Sequence, residues 1–325
     1  MVQSRREILQ LAASAAAIPL VSCTAWAQVY PSRPVRVVVA AAAGGANDII
    51  MRLIGPWLSE RLGQPFIIEN RPGGSNNIGT EAVVRAPADG HTLLAISGVN
   101  VVSTMLFDKL NFNFLQDIAP VAGTMRTPLV MTVAPSFPAK TIPEFIAYAK
   151  ANPGRLNFAS GGTGTGPHLA GELFKKMTGV NLLHVPYRGE GLALADLLGG
   201  QVQVMFNSSI VALESVRAGK LRALRVTTAE HWDALPDVST VSEFVPGFEA
   251  RGWFGVGAPK DTPAETIEKL NKAINASLAD PRIKARFADL GGIPFFGSPS
   301  ELRKFVAEEA EKWGAVIRAA NIKAE

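Results

Sequence analysis

Two glycine-rich stretches, lying in separate halves of the chain, constrain its fold most. Gly44-Gly45-Ala46-Asn47-Asp48 follows the apolar run 35–43, and Ser160-Gly161-Gly162-Thr163-Gly164-Thr165-Gly166-Pro167-His168 follows Leu156-Asn157-Phe158-Ala159. Each reads as a strand ending in a loop that opens a helix. That geometry aims free backbone N–H groups and the positive end of a helix dipole at one spot, a ready anion site. Two such sites in one chain point to a clamp on a small anion. On spacing alone the first stretch reads equally well as a structural tight turn that needs glycine. The second lacks the spacing of a dinucleotide fingerprint and the Lys-Ser/Thr ending of a P-loop.

The N-terminus reads as an export signal. Ser4-Arg5-Arg6-Glu7-Ile8-Leu9 is a twin-arginine start, followed by the apolar run 8–21 and the small-x-small site Ala25-Trp26-Ala27, with cleavage expected before Gln28. The run is short and alanine-rich for a membrane span. An uncleaved anchor and a lipoprotein acylated at Cys23 are the alternatives; soluble cleavage is preferred to both. Cys23 is the only cysteine, so the mature chain has no thiol nucleophile and no cysteine metal site. Residues 28–325 suffice for two domains with their own cores, or for one large domain. The net charge of +4 arises from scattered basic residues without an aromatic platform, which argues against nucleic acid.

Short apolar runs at 35–41, 66–69, 92–96, 156–159, 182–185, 202–206 and 221–226 read as buried strands, with helices expected at 48–62, 77–85, 168–178, 191–198 and 210–218. This alternation predicts an α/β fold with largely parallel sheets. From 263 on, three helical segments (263–279, 281–290, 299–320) follow one another with no strand expected between them. Thr262-Pro263-Ala264-Glu265 and Ser298-Pro299-Ser300-Glu301 read as helix starts. With no flexible tether visible, the domain boundary is expected at two β-prone crossings, 120–134 outward and 248–257 returning, the second carrying Arg251-Gly252-Trp253-Phe254-Gly255.

A family pattern runs through these segments. Tyr30-Pro31-Ser32-Arg33-Pro34-Val35-Arg36, Glu69-Asn70-Arg71-Pro72-Gly73-Gly74-Ser75-Asn76-Asn77-Ile78-Gly79, Ala86-Pro87-Ala88-Asp89-Gly90-His91-Thr92 and Pro167-His168-Leu169-Ala170-Gly171-Glu172 occur in order. His184-Val185-Pro186-Tyr187-Arg188-Gly189 and Leu197-Leu198-Gly199-Gly200-Gln201-Val202 continue it. Together they resemble the Bug/TctC family, the solute receptors of tripartite tricarboxylate transporters, over essentially the whole mature chain. The resemblance implies a two-lobed, type II-like periplasmic-binding-protein fold with crossing hinge strands and a helical C-terminal tail. Lobe one is expected at 28–128 and 250–325, lobe two at 129–249. Three departures stand out: Ala40-Ala41-Ala42-Ala43 replaces a stretch that usually carries an aromatic, Asn47 stands where threonine is common, and Asn207 where aspartate is common.

The expected ligand contacts are Ala43, Gly44, Gly45, Ala46, Asn47, Asp48 and Ser97 from lobe one. From lobe two they are Ser160, Gly161, Thr163, Gly164, Thr165, His168, Tyr187, Arg188 and Asn207. Asp48 reads equally as a cap that organises its loop, and His168 as a structural hydrogen-bonding group. Arg188 reads equally as a partner for a second carboxylate and as an exposed rim residue, and Asn207 is preferred to Ser208. Trp253 and Phe254 read as core near the hinge more readily than as cleft wall. The isolated histidines offer no metal-ligand spacing.

The leading expectation is a periplasmic, monomeric, non-enzymatic receptor without cofactor that captures a small organic carboxylate and delivers it to membrane transporter subunits. The alternatives are an exported hydrolase or transferase in the same cleft, for which Ser160 with His168 is the nearest nucleophile–base pairing, and a ligand-presenting sensory subunit.

Overall fold

The computed structural model describes residues 30–107, 109–320 and 322–323. The export signal expected at 1–27, its cleavage before Gln28, and Cys23 lie outside the described residues.

The first glycine stretch joins β1 (Val35–Val39) to α1 (Ala46–Leu62), and the chain continues through β2 (Phe66–Asn70), α2 (Asn77–Val84), β3 (Thr92–Ser97), α3 (Gly98–Leu106) and α4 (Phe114–Asp117). A 16-residue strand, β4 (Ile118–Val133), leads to α5 (Ile142–Ala151) and β5 (Leu156–Ser160). The second glycine stretch then opens α6 (Gly166–Thr178), followed by β6 (Leu182–Pro186), α7 (Glu190–Leu198), β7 (Val204–Ser208), α8 (Ser209–Arg217) and β8 (Arg222–Val226). The return strand β9 (Arg251–Pro259) precedes α9 (Ala264–Ala279), α10 (Pro281–Asp289), β10 (Ile293–Pro294) and α11 (Pro299–Ala320).

The sheet order is β2-β1-β3-β9-β4-β7-β5-β6, with β8 and β10 also on β4. Strands at each end pair in parallel, but β3–β9, β9–β4 and β4–β7 are antiparallel, so the sheet is more mixed than expected. The crossing strands cause this, since they run against the βαβ units on either side. β4 is shared: residues 118–128 pair with β9 and Leu129–Val133 with β7.

Local chemistry explains where elements begin. Gly44 lies at φ +81, a conformation L side chains avoid, and turns the chain from β1 into α1. α3 is a helix the sequence does not announce, because Val99, Val101 and Val102 favour strands. Burial of these three valines, together with Asn100, overrides that preference. Asn100 Oδ1 accepts from Ser97 N at 2.8 Å, and its Nδ2 donates to Thr80 Oγ1 at 2.9 Å. Ser298 and Glu301 cap α11 reciprocally, whereas Pro263 takes the cap position of α9 and the Thr262 hydroxyl is buried without a partner. The tail also contains β10, which pairs Ile293 and Pro294 with Arg126 and Met125, where no strand is expected from sequence.

The core around β5, β6 and β7 is centred on an aromatic cluster: the Phe145–Phe174, Phe174–Phe206 and Phe206–Phe248 centroids lie 6.0, 5.7 and 6.3 Å apart. Each such buried ring contributes about 1.5–3 kcal/mol. α11 spans both halves. Leu302, Val306 and Ala310 pack with Val38, Leu94 and Trp253, while Trp313 and Ile317 join the cluster holding Phe158 and Phe174.

Candidate ligand-binding site

The C-terminal ends of β1, β3, β5 and β7 and the start of β9 converge on one cleft, where open α/β sheets take ligands. Its non-atom space, mouth included, is about 780 Å³. Of the expected contacts, Gly45, Ala46, Asn47, Ser97, Gly161 and Thr165 line it. Ala41, Trp253, Glu190, Ser208, Arg251 and Trp313 are also on its wall.

The two glycine stretches serve the cleft differently. α1 begins at Ala46 with Gly45 as its cap residue, and no side chain caps it. The first intrahelical bond is Ile49 N to Gly45 O, so the N–H groups of Ala46, Asn47 and Asp48 have no carbonyl within the helix. Asp48 organises this loop from behind and does not line the cleft. Its Oδ2 accepts from Gly44 N at 3.0 Å and its Oδ1 from Arg52 Nε at 2.9 Å. Burial alone would raise its pKa, but the bonds from Arg52, Gly44 and Asn70 and the Arg52 charge outweigh that and hold it below the ordinary value. Ala43 and Gly44 are exposed outside the cleft.

The second loop uses most of its polar groups on itself. Gly162 N donates to Ser160 Oγ, Gly164 N to His168 Nδ1, Thr165 N to Gly162 O, and His168 N to Thr165 Oγ1. Thr165 Oγ1 donates to Gly162 O at 2.8 Å. Gly161, Thr165 and Gly166 therefore present the loop to the cleft, while Ser160, Thr163, Gly164 and His168 are buried behind it. A Cβ on Gly164 would lie 3.0 Å from Leu106 Cδ1 and 3.2 Å from Val102 Cγ1, so this glycine meets α3 and not the cleft.

Three further expectations change. Asn207 is fully buried and donates to Thr132 Oγ1 at 2.6 Å; Ser208, on the opposite face of the strand, lines the cleft instead. Arg188 is exposed away from the cleft, and the arginine on its wall is Arg251, paired with Glu249 at 2.7 Å. The Tyr187 hydroxyl donates to Asp196, and burial followed by that bond pushes its pKa up to about 12. Trp253 and Phe254 do reach the wall, although both are also core residues.

Sequence reasoning missed the part played by the tail helix. Glu309 and Trp313, four residues apart on one face of α11, line the cleft, and Glu309 Oε2 accepts from the indoles of both Trp253 and Trp313 at 3.0 Å. It also missed Glu190, the first residue of α7. Its Oε2 accepts from Ser208 N at 3.0 Å and Ser208 Oγ at 2.6 Å. Burial raises its pKa despite those two bonds.

The Ser–His arrangement differs from the expected one. Ser160 Oγ lies 2.7 Å from His184 Nε2, not on His168, and has no exposed surface. His168 and His184 stack with centroids 3.9 Å apart. Burial, then His184, then Lys175 depress the His168 pKa to about 2; burial, then Lys175, depress that of His184 to about 4. Both rings stay neutral where unfolded histidine, at about 6.5, is protonated. Their stabilising contribution is complete above pH 6.5 and is lost as pH falls toward 4. Over the lower part of that window the pair costs up to about 3 kcal/mol per pH unit. Chemical denaturation of wild type and of His168→Gln/His184→Gln at pH 7 and 4.5 is expected to show a smaller pH-dependent loss in the variant; equal losses would contradict this assignment. No cluster of three or more metal-ligating side chains occurs among the described residues.

Comparison with known proteins places these features in one family. The model of the tripartite tricarboxylate transporter family receptor matches residues 50–322. A solved structure, R. palustris Rpa4515 with adipate, superposes with a TM-score of 0.88 at 35% identity, covering 91% of this chain and 100% of that one. The periplasmic binding protein BugD gives 0.87 at 32%, covering 91% and 100%. MatC from Rhodopseudomonas palustris with bound malate gives 0.85 at 33%, covering 89% and 100%. The two-lobed α/β fold with its C-terminal helix is thus shared with these binding proteins.

Proposed function

The chain belongs to the tripartite tricarboxylate transporter family of receptors, and from that premise we propose that it captures a small organic carboxylate between its lobes and delivers it to the membrane subunits of such a transporter. The observation that carries this reading is the uncapped N-terminus of α1 opening into the cleft: Ala46 and Asn47 offer backbone donors at the positive end of a helix dipole. Adipate and malate, held by two relatives of similar structure, are ligands of the same chemical class.

In this reading residues 28–128 and 250–325 form lobe one, 129–249 form lobe two, and the ligand carboxylate sits against Gly45, Ala46 and Asn47 with Gly161, Thr165 and Gly166 opposite. Closure is a hinge motion on β4 and β9. Contacts across the cleft are tight: a Cβ on Gly189 would lie 3.2 Å from Ala42 Cβ, and one on Gly191 3.7 Å from Gly44 O. The arginine on the cleft wall is Arg251, not Arg188, and its charge is paired with Glu249. The protein acts as an exported, periplasmic monomer without catalytic activity, its mature form starting at Gln28, and N-terminal sequencing of the secreted protein checks that start. A hydrolase would need an accessible nucleophile, and the Ser160 hydroxyl is buried and engaged with Gly162 and His184.

A thermal-shift screen of residues 28–325 against a carboxylate panel tests the reading. A ligand at a hundred times its dissociation constant stabilises by about 2.7 kcal/mol. Stabilisation by acids and not by sugars or metals is expected; stabilisation only by a sugar or metal would overturn it.

A further inference from the structure

The cleft of an anion receptor has a carboxyl group on its wall, and no described cation pairs with it. Glu190 is set at the first position of α7, against the second glycine loop: a Cβ on Gly161 would lie 3.0 Å from its Cγ and 2.9 Å from its backbone N. Ser208, the residue before α8, donates both its N–H and its hydroxyl to Glu190 Oε2. Glu190 thus occupies the anion position at the N-terminus of α8 that an incoming acid would otherwise use. Both bonds end on one oxygen, so the other is the acceptor this residue has to offer the cleft.

The remaining charges on the wall are already committed. Arg251 pairs with Glu249, and Glu309, whose Oε2 accepts from two indoles, also has the opposite charge of Arg126 acting on it, which Glu190 lacks. A second acceptor points the same way. Asn47 lines the cleft, is 6% exposed, and its Oδ1 has no partner, its amide making only a 3.5 Å contact with Ala95 O. The cavity therefore combines donors at the start of α1 with an acceptor on Glu190 that is open to a ligand's donor, and its wall holds a second unsatisfied acceptor, Asn47 Oδ1, just beneath the surface.

We infer that the ligand carries a protonated amine as well as its carboxylate, and that Glu190 receives the amine. The inference rests on the carboxylate reading above and narrows it to ammonium-bearing acids. A plain dicarboxylate would bring its second negative charge into a cleft that already holds Glu190, or require Glu190 to be protonated. The raised pKa of Glu190 is consistent with a group that awaits its cation.

Calorimetry at pH 7.5 with matched acids tests this, since each pair differs only in the amine: succinate with aspartate, glutarate with glutamate, adipate with 2-aminoadipate, and 4-methylbenzoate with 4-(aminomethyl)benzoate. In at least one pair the amine-bearing member is expected to bind ten times more tightly or better. Glu190→Gln keeps the side-chain volume and the acceptor for Ser208. It is expected to erase that preference, weakening the amine-bearing acid at least tenfold while leaving or improving the plain acid. Equal or better binding of the plain acids by wild type overturns the inference and leaves the carboxylate reading intact. So does a preference for the amine that Glu190→Gln does not change. Binding of none of the eight acids contradicts the carboxylate reading itself. The wild-type comparison stands even where the variant fails to fold.

Discussion

Gly164→Val is expected to weaken ligand binding by a hundredfold or more although residue 164 does not touch the cleft. Gly164 lies at φ +82, where a non-glycine residue costs about 1–2 kcal/mol and a β-branched one more. Its new Cβ would meet Leu106 at 3.0 Å and Val102 at 3.2 Å, both on α3, which follows β3. Valine adds two methyl groups to that contact and presses the glycine loop away from α3. The same shift endangers the Gly164 N–H bond to His168 Nδ1, which fixes the loop. Calorimetry measures the binding, and small-angle scattering with and without ligand shows whether closure is lost. Leu106→Ala added to Gly164→Val is expected to recover part of the affinity by making room. Wild-type affinity in the single variant would remove this loop from closure.

Ala41→Phe is expected to change which acid binds best, with a tenfold or greater loss for the preferred ligand. Ala41 is half-buried on the cleft wall, directly after the fully buried Ala40, and its carbonyl accepts from Asn70 Nδ2 at 3.1 Å. A phenyl ring there projects into space now open and makes the cleft smaller. Overpacking of a closed site costs about 1–3 kcal/mol; an open wall position is expected to fall at or below the lower end. Ranking of a carboxylate panel by thermal shift, beside the melting temperature of the unliganded variant, separates the outcomes. A large loss of stability with unchanged ranking would place Ala41 in the core.

The elements built from βαβ repetition were legible because each apolar strand run is bounded, on one side or the other, by glycine, proline or asparagine. β1, β2, β3, β5, β6, β7 and β8 all lie within two residues of the expected runs. α3 was not legible, since its valines argue for a strand and only burial makes them helical. β10 is two residues long and owes its existence to β4, a partner far away in sequence.

The cleft was half legible, for an analogous reason. Glycine patterns mark where a backbone can turn and offer donors, and both loops were found that way. Whether those donors face a ligand depends on what the loop's own side chains consume, and Ser160, Thr165 and His168 consume most of theirs. Arg251, Glu309 and Trp313 come from the returning strand and the tail helix, far from either loop in sequence. The period-two alternation of β7 was the one signal that bears on Asn207 and Ser208: adjacent residues must face opposite sides, but sequence does not say which side is the cleft.

The central claim is that backbone donors at the start of α1 hold the ligand carboxylate, and Ala46→Pro tests it most directly. Residue 46 is the first of the helix, where proline is well tolerated, and Gly45 at φ −80, ψ 167 already has the extended conformation a following proline requires. The substitution deletes one N–H from the cleft and leaves the helix in place. Loss of one hydrogen bond to a charged group is worth about 1.5–3 kcal/mol, so calorimetry with the best-binding carboxylate is expected to show roughly 10- to 150-fold weaker binding. The unliganded variant should melt within a few degrees of wild type. Unchanged affinity in a folded Ala46→Pro protein would contradict the account, because the carboxylate would then be held elsewhere.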